Sequence, residues 1–226
     1  MEEAEARVRK AWQGCASAFA ASQMAAADDA IADIVRRYSA PGRHYHTLRH
    51  IAAMLDLIGA DRTAFPNQTA AQLAAIYHDA VYCTERSDNE AASARLASSQ
   101  LRELGASGDL VERAVCLIEA TAHTSQHVAD RAPSEERDRF VDCDLAILAA
   151  AACDYDAYAS AIRREYVAVP DAIYLPGRCR VLEHFLGQDR IYRAATTPTF
   201  WESSARVNLE RERAMLAAKL KSLPSG

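Results

Sequence analysis

The sequence predicts an all-α protein, and three of its features support that fold class. Alanine, the strongest helix former, is abundant, whereas glycine and proline, which disfavour helices most, account for only 8 and 7 of the 226 residues. Within the longer segments, apolar residues recur three and four positions apart, which is the spacing of one helix face. No run shows the strict apolar–polar alternation of a half-buried strand.

Nine or ten helices are expected in a single domain, joined by short breaks. Ser87 and Glu90 have the spacing of a capping box, which predicts the start of one of these helices. Glycine, proline or polar residues predict breaks at 39–43, 83–86, 124–137 and Pro170. The expected helices span about 4–20, 28–38, 46–59, 69–82, 91–104, 109–123, 139–151, 154–167, 178–186 and 200–220.

Composition and charge limit the classes of function. The formal net charge is −5, and Lys and Arg do not cluster as they would on a nucleic-acid-binding face. A small phosphorylated partner is therefore expected, rather than a nucleic-acid polymer, and an oligomer is compatible with the sequence. No apolar run approaches the ~20 residues of a membrane helix, and the charged N-terminal segment does not resemble a signal peptide. We therefore expect a cytoplasmic protein whose six cysteines are reduced, small buried residues.

The first candidate ligands are two histidines in the segment YHTLRH. His46 and His50 lie four residues apart, so on a helix over 46–59 they would share one face. His50 also continues a stripe with Met54 and Leu57, which indicates a buried position. Imidazole nitrogens are good ligands for divalent transition metals. Taken alone, however, a single histidine here is more often a core or capping residue.

The second candidate is the pair His78 and Asp79, in the middle of the apolar helix expected over 69–82. A buried carboxylate is costly unless a cation or hydrogen bonds satisfy it. Adjacent helical residues diverge by about 100°, but both side chains can still reach one ion lying between them. The apolar residues on both sides argue against the alternative of an N-terminal cap or a solvent-facing pair.

The third candidate lies in the segment FVDCDLAIL. Asp144 shares a helix face with Phe140, Ile147 and Leu148, so we expect it to point toward the core. Asp142 does not share that face. It is expected near the start of the helix, where a carboxylate interacts favourably with the helix dipole.

Together these segments form the order His, His-Asp, Asp, and with them the sequence resembles the HD superfamily of metal-dependent phosphohydrolases. YHTLRH is also similar to the Tyr-His-Asn-x-x-His segment of cyclic nucleotide phosphodiesterases, and CDL resembles the Ala-Asp-Leu segment that holds their last ligand. Over nearly the whole chain, YHTLRHI, HDAVY, DNE, DCDLAIL, IRREY and AR-x-NL resemble a bacterial family of uncharacterised, predicted HD phosphohydrolases.

The resemblance implies an HD-type, phosphodiesterase-like bundle whose core spans about 43–148, with C-terminal helices over 154–222 packed on it. Thr47 stands where the phosphodiesterases have asparagine, and their purine-recognising glutamine has no clear counterpart. A cyclic nucleotide is therefore not implied as the substrate.

The resemblance also assigns roles to individual residues. His46 would be the general acid that protonates the leaving group, and Asp79 would take a catalytic part as a bridge to a second metal. One or two divalent ions of Mn, Fe, Co, Ni, Zn or Mg are implied. Their ligands would be His50, His78, Asp79 and Asp144.

Further residues are candidates for binding the substrate or a second metal: His123, Arg49, Asp88 and Arg178. His123 could equally sit favourably at a helix C-terminus, and the arginines are more often surface charges or ion pairs than phosphate ligands. The leading expectation is hydrolysis of a small phosphate ester or nucleotide by metal-activated water. The alternatives are a di-iron oxygenase and a non-catalytic, metal-containing sensor or ligand-binding domain.

Overall fold

A computed structural model describes residues 2–122 and 134–222. These residues fold into ten α-helices and three short 3₁₀ helices, with no β-strand among them. The all-α fold class and the expected number of helices are therefore confirmed. The helices are α1 (Glu2–Gly14), α2 (Met24–Tyr38), α3 (Leu48–Ala60), α4 (Gln68–Tyr77), α5 (Asn89–Glu103), α6 (Gly108–Ala120), α7 (Glu135–Asp144), α8 (Ala152–Glu165), α9 (Asp171–Leu186) and α10 (Phe200–Ser222). The 3₁₀ helices are Ala16–Ala18, Ala21–Gln23 and Leu145–Ala149.

Side-chain caps begin four of the helices. Thr47, Asn67, Ser107 and Ser134 each accept a hydrogen bond from a backbone N–H in the first turn of α3, α4, α6 and α7, respectively. Such caps satisfy N–H groups that have no partner within the helix. The cap at Thr47 matters most for the site, because it begins the helix that carries His50.

Helix α5 ends at a glycine in the left-handed region. Gly105 has a φ of 78°. Its N–H donates to Arg102 and the N–H of Ala106 donates to Leu101, which is the Schellman pattern of a helix C-terminus. A Cβ at position 105 would also lie 2.8 Å from the Cβ of Ala20, so both the turn and the close approach require glycine here.

Buried apolar side chains form two clusters that divide the chain near Asp144. The first cluster runs from Val8 to Cys143 and joins α1 to α7. The second runs from Leu145 to Leu216 and joins the C-terminal helices. The first cluster thus begins well before residue 43, where the HD core was expected to start. The assignment to an HD-type domain itself remains a prediction.

Several predicted helix ends are wrong. Helix α1 ends at Gly14 rather than near residue 20. Helix α7 begins at Glu135, inside the stretch 124–137 that was expected to be a loop, because Ser134 caps it. Residues 124–133 of that stretch lie outside the described residues. Helix α9 begins at Asp171 rather than near residue 178, and it contains Pro176.

The predicted capping box does not form. Helix α5 begins at Asn89 with Asp88 at the N-cap position, so Ser87 lies one residue outside it. The reason is the side chain of Asn89, which accepts from the N–H of Cys83 and donates to its carbonyl oxygen. This pair of bonds fixes the loop before α5 and leaves Ser87 no capping role.

The six cysteines are all free thiols. Cys15 and Cys143 are buried, as expected, but Cys153 is exposed and the other three are only partly buried. The expectation of uniformly buried cysteines is therefore wrong. Among the described helices, none is long and apolar enough to cross a membrane alone, and Glu135–Ala149 with Ala152–Glu165 meets that test only as a pair bent by 102°.

Candidate metal centre

Three of the four predicted ligands meet at one point, brought there by α3, by the end of α4 and by the end of α7. The Nε2 atom of His50 lies 3.2 Å from Nε2 of His78 and 2.9 Å from Oδ1 of Asp144. The remaining distance, from His78 Nε2 to Asp144 Oδ1, is 3.4 Å. Ligand atoms of these three residues all lie within 4.8 Å of one another, so the group could hold a metal ion.

Asp79 lies on the edge of this group. Its Oδ2 atom is 3.1 Å from Nε2 of His78 and 3.9 Å from Nε2 of His50. The same oxygen is 4.0 Å from Nε2 of His46. Asp79 therefore lies between the group of three and the predicted general acid.

The orientation of His78 is set by a backbone carbonyl. Its Nδ1 atom lies 2.9 Å from the carbonyl oxygen of Ala75, and a carbonyl can only accept a hydrogen bond. The proton of the neutral ring is therefore on Nδ1, and the lone pair on Nε2 faces Asp79 and Asp144. Metal-binding histidines are commonly oriented in this way.

The donor set fits a divalent cation. Imidazole nitrogens and carboxylate oxygens are both ligands that divalent cations accept, and three such residues converge here. Burial alone would lower the pKa of His78, but Asp79 and Asp144 raise it well above its ordinary value. Burial would raise the pKa of Asp79, and the neighbouring histidines instead lower it. Both shifts have the direction expected when imidazole and carboxylate groups face one another.

Helix α4 ends at Tyr77, before His78 and Asp79, whereas the sequence predicted a helix through residue 82. His78 is the C-cap, so His78 and Asp79 do not lie in the middle of a helix. Arg43 donates hydrogen bonds to the carbonyl oxygens of Asp79 and Ala80, at 2.8 and 3.1 Å. Ser93 hydrogen bonds to both the N–H and the carbonyl of Val81. These bonds replace those that the helix would have made.

His46 also lies outside a helix, because α3 begins only at Leu48. Its Nδ1 atom is 2.7 Å from Oε2 of Glu165, at the end of α8. The other carboxylate oxygen of Glu165 accepts the backbone N–H groups of His44, Tyr45 and His46, at 2.7, 2.7 and 3.0 Å. Glu165 therefore holds both the backbone and the ring of the predicted general acid.

The pair His46–Glu165 is electrostatically matched. Burial lowers the pKa of His46, but the carboxylates of Asp79 and Glu165 outweigh that effect and raise it. Burial raises the pKa of Glu165, while the hydrogen bonds from His46 and the backbone lower it to about 2. Because a carboxylate only accepts, the His46 Nδ1 carries a proton, and Nε2 is left facing Asp79.

Sequence reasoning missed Glu165 and Tyr45. Glu165 lies in the IRREY segment, which was noted for its resemblance but given no role. Tyr45 lies directly before His46, and its hydroxyl is 3.2 Å from Nδ1 of His50. Tyr82 also donates to Glu165, at 2.9 Å. The presence of these residues inside the quoted segments was the available signal, but only the fold shows what they contact.

Asp142 does not lie at a helix start, as predicted, because α7 begins at Glu135 and Asp142 falls in its last turn. The side chain is buried and accepts from the N–H groups of Arg193 and Ala194 and from the hydroxyl of Thr197, at 2.5 Å. Asp142 therefore anchors the segment before α10. The predicted division of roles agrees with the structure in one respect: Asp144, and not Asp142, lies in the candidate site.

The secondary candidates are placed differently. Arg178 is buried, and its guanidinium binds both carboxylate oxygens of Glu212, at 2.8 and 2.9 Å, so the structure does not support a phosphate-binding role for it. The carboxylate of Asp88 pairs with Arg86 and Arg95 at the surface. Arg49 is exposed on α3. The remaining candidate, His123, lies outside the described residues.

Comparisons with known proteins do not add a family. No protein-family model, no curated protein and no solved structure matched this chain.

Proposed function

We propose that this protein is a metal-dependent phosphohydrolase that acts on a small phosphate ester or nucleotide. The observation that supports the proposal is the convergence of two imidazoles and two carboxylates beside a histidine held by Glu165. The ligands would be His50, His78, Asp79 and Asp144. When bound, a divalent ion lowers the pKa of a coordinated water and polarises a phosphoryl oxygen.

The chain itself supplies the acid. His46 has its Nδ1 proton directed at Glu165. Burial lowers the pKa of its ring, but the carboxylates of Asp79 and Glu165 outweigh that effect and raise it, which favours a second proton on Nε2. That proton faces the ligand cluster, since Nε2 lies 4.0 Å from Asp79. A general acid at this position can protonate a leaving oxygen as the P–O bond breaks.

The site can be reached by a small molecule. The side chains of His46, Asp79 and Asp144 retain 20, 15 and 14% exposure, whereas His78 retains only 1%. The inner ligand is thus shielded while one edge of the cluster remains open. The net charge of −5 also favours a small substrate over a nucleic-acid polymer.

The test is turnover of a panel of phosphomonoesters and nucleotides by protein loaded in turn with each candidate ion. We expect His46→Ala to keep its metal and to lose about 10²–10⁴-fold in kcat, the usual contribution of a general acid. The control is His184→Ala, which removes an exposed histidine on α9 and should leave kcat unchanged.

Other outcomes would contradict the proposal in distinct ways. If metal-loaded wild type hydrolysed no phosphate ester but bound one nucleotide tightly, a ligand-binding domain would be supported instead. Two irons per chain with oxygen consumption would support the di-iron oxygenase. If His46→Ala retained full turnover, the acid role alone would be refuted.

A further inference from the structure

We infer that Tyr45 is a positioning residue for the metal ligand His50, and this inference rests on the metal site of the proposed function. The Tyr45 hydroxyl lies 3.2 Å from Nδ1 of His50, while the opposite nitrogen of the same ring, Nε2, lies 2.9 Å from Asp144. The hydroxyl therefore contacts the edge of the ring that faces away from the cluster.

The hydrogen bond between Tyr45 and Nδ1 of His50 corresponds to the one that orients His78. There, Nδ1 meets the carbonyl oxygen of Ala75, which can only accept. A tyrosine hydroxyl can donate or accept, so it does not by itself impose one tautomer. Once Nε2 of His50 binds a cation, the proton of the neutral ring is on Nδ1, and the Tyr45 oxygen accepts it. The hydroxyl thus stabilises the metal-binding form of His50.

Tyr45 is held in place by the C-terminal helices. Its backbone N–H donates to Glu165 at the end of α8, at 2.7 Å. Its ring packs edge-on against Tyr158, also on α8, with ring centroids 4.6 Å apart. The hydroxyl of Tyr158 accepts from Arg178 on α9, at 3.3 Å. The residue that contacts the ligand on α3 is therefore held by α8, far along the chain.

The test compares Tyr45→Phe with wild type and with Tyr155→Phe. Phenylalanine keeps the ring that packs on Tyr158 and removes only the hydroxyl. Tyr155, which is fully buried, is the control because its hydroxyl also makes one hydrogen bond, to Glu212 at 2.5 Å. The probe is Co²⁺ alone, with affinity measured by calorimetry and ligand geometry by the visible absorption of the bound ion.

We expect Tyr45→Phe to bind Co²⁺ about 10–100-fold more weakly, as is typical when the partner of a metal-binding histidine is removed. Its Co²⁺ spectrum should also change, while Tyr155→Phe matches wild type in both affinity and spectrum. Without metal, Tyr155→Phe should lose more thermal stability than Tyr45→Phe, because the bond that it removes is to a buried carboxylate and hydrogen bonds to charged groups are stronger.

Two results would overturn the inference, and they separate it from the proposed function. Wild-type affinity and spectrum in Tyr45→Phe would refute the role of Tyr45 and leave the metal site intact. No binding of Co²⁺ to wild type would refute both the role and the site. If wild type binds Co²⁺ but hydrolyses no phosphate ester, the proposed function fails while the comparison of the two variants still decides the role of Tyr45.

Discussion

Two groups of charged side chains are buried in this protein, and they differ in how their charges are balanced. Around Arg178, the guanidinium faces both oxygens of Glu212, and Tyr155 donates to the same carboxylate. Around His50, the facing atoms are imidazole nitrogens and carboxylate oxygens, at 2.9–3.4 Å. The first group contains its own counter-charge, whereas the second group becomes balanced when it gains a proton or a cation.

The difference indicates which buried charges serve the fold and which serve a ligand. A complete ion pair such as Arg178–Glu212 binds nothing further, and removing one partner leaves the other buried and unpaired. A convergence of imidazole nitrogens and carboxylate oxygens differs, because the same atoms are able to coordinate a cation.

The largest effect is expected at the ion pair. Glu212→Gln should lower the free energy of unfolding by about 3–5 kcal/mol, because it leaves Arg178 buried without a counter-charge. Urea denaturation measures the loss. Metal affinity should stay at the wild-type value. The hydrogen bonds of Glu212 go to Arg178 and Tyr155, and neither residue belongs to the ligand cluster.

The double variant Arg178→Met, Glu212→Met is the control for that prediction. It removes both charges together and should recover most of the lost stability, because no unpaired charge remains. A Glu212→Gln protein of wild-type stability would show that the pair contributes nothing to the fold. A parallel loss of metal affinity would show that the two groups are coupled and break the comparison.

The next effect is expected at Glu165, which joins α8 to the site. The pKa of Glu165 lies near 2, below its ordinary value of 4.5, so its ionised form stabilises the folded state. That stabilisation is present above about pH 4.5 and is lost as the pH falls toward 2. It is on the order of 3 kcal/mol. Glu165→Gln should therefore be less stable than wild type at pH 7.

The measurement is the free energy of unfolding from pH 7 to pH 2 for wild type and Glu165→Gln. We expect the two curves to converge at low pH, because the wild-type carboxylate becomes protonated there. A constant difference across the whole range would contradict the cause assigned to the shift.

A somewhat smaller effect is expected from metal itself. An ion that binds only the folded state, at 100 times its Kd, stabilises it by about 2.7 kcal/mol. Wild type should gain that stability and a higher Tm, and Glu212→Gln should gain the same increment. His78→Ala should gain none. An equal increase in all three proteins would indicate that the ion acts outside the ligand cluster.

Helical periodicity predicted the all-α fold, and the order of His50, His78, Asp79 and Asp144 predicted side chains that the fold brings together. These signals are local in the sequence. The end of α4 was not predictable from local signals, because the hydrogen bonds that replace those of a continued helix come from Arg43, which lies 36 residues before Asp79. Periodicity alone favoured a helix through His78.

The role of Glu165 shows the same limit more strongly. Its partner His46 is 119 residues away, and nothing in the pattern around either residue links the two. Asp142 was misplaced for a local reason. Helix α7, capped by Ser134, begins at Glu135, four residues before the predicted start, so Asp142 falls in its last turn. The contact between His46 and Glu165 was missed because the two residues are distant in the sequence, and Asp142 was misplaced because the cap at Ser134 was not recognised.

We propose that the cluster around His50 and His78 holds a metal ion. The decisive experiment is elemental analysis of purified wild type, His78→Ala and His184→Ala, each incubated with divalent ions and desalted. We expect one or two equivalents of metal in wild type and in the exposed-histidine control, and little or none in His78→Ala. Equal metal in all three proteins, or none in wild type, would contradict it.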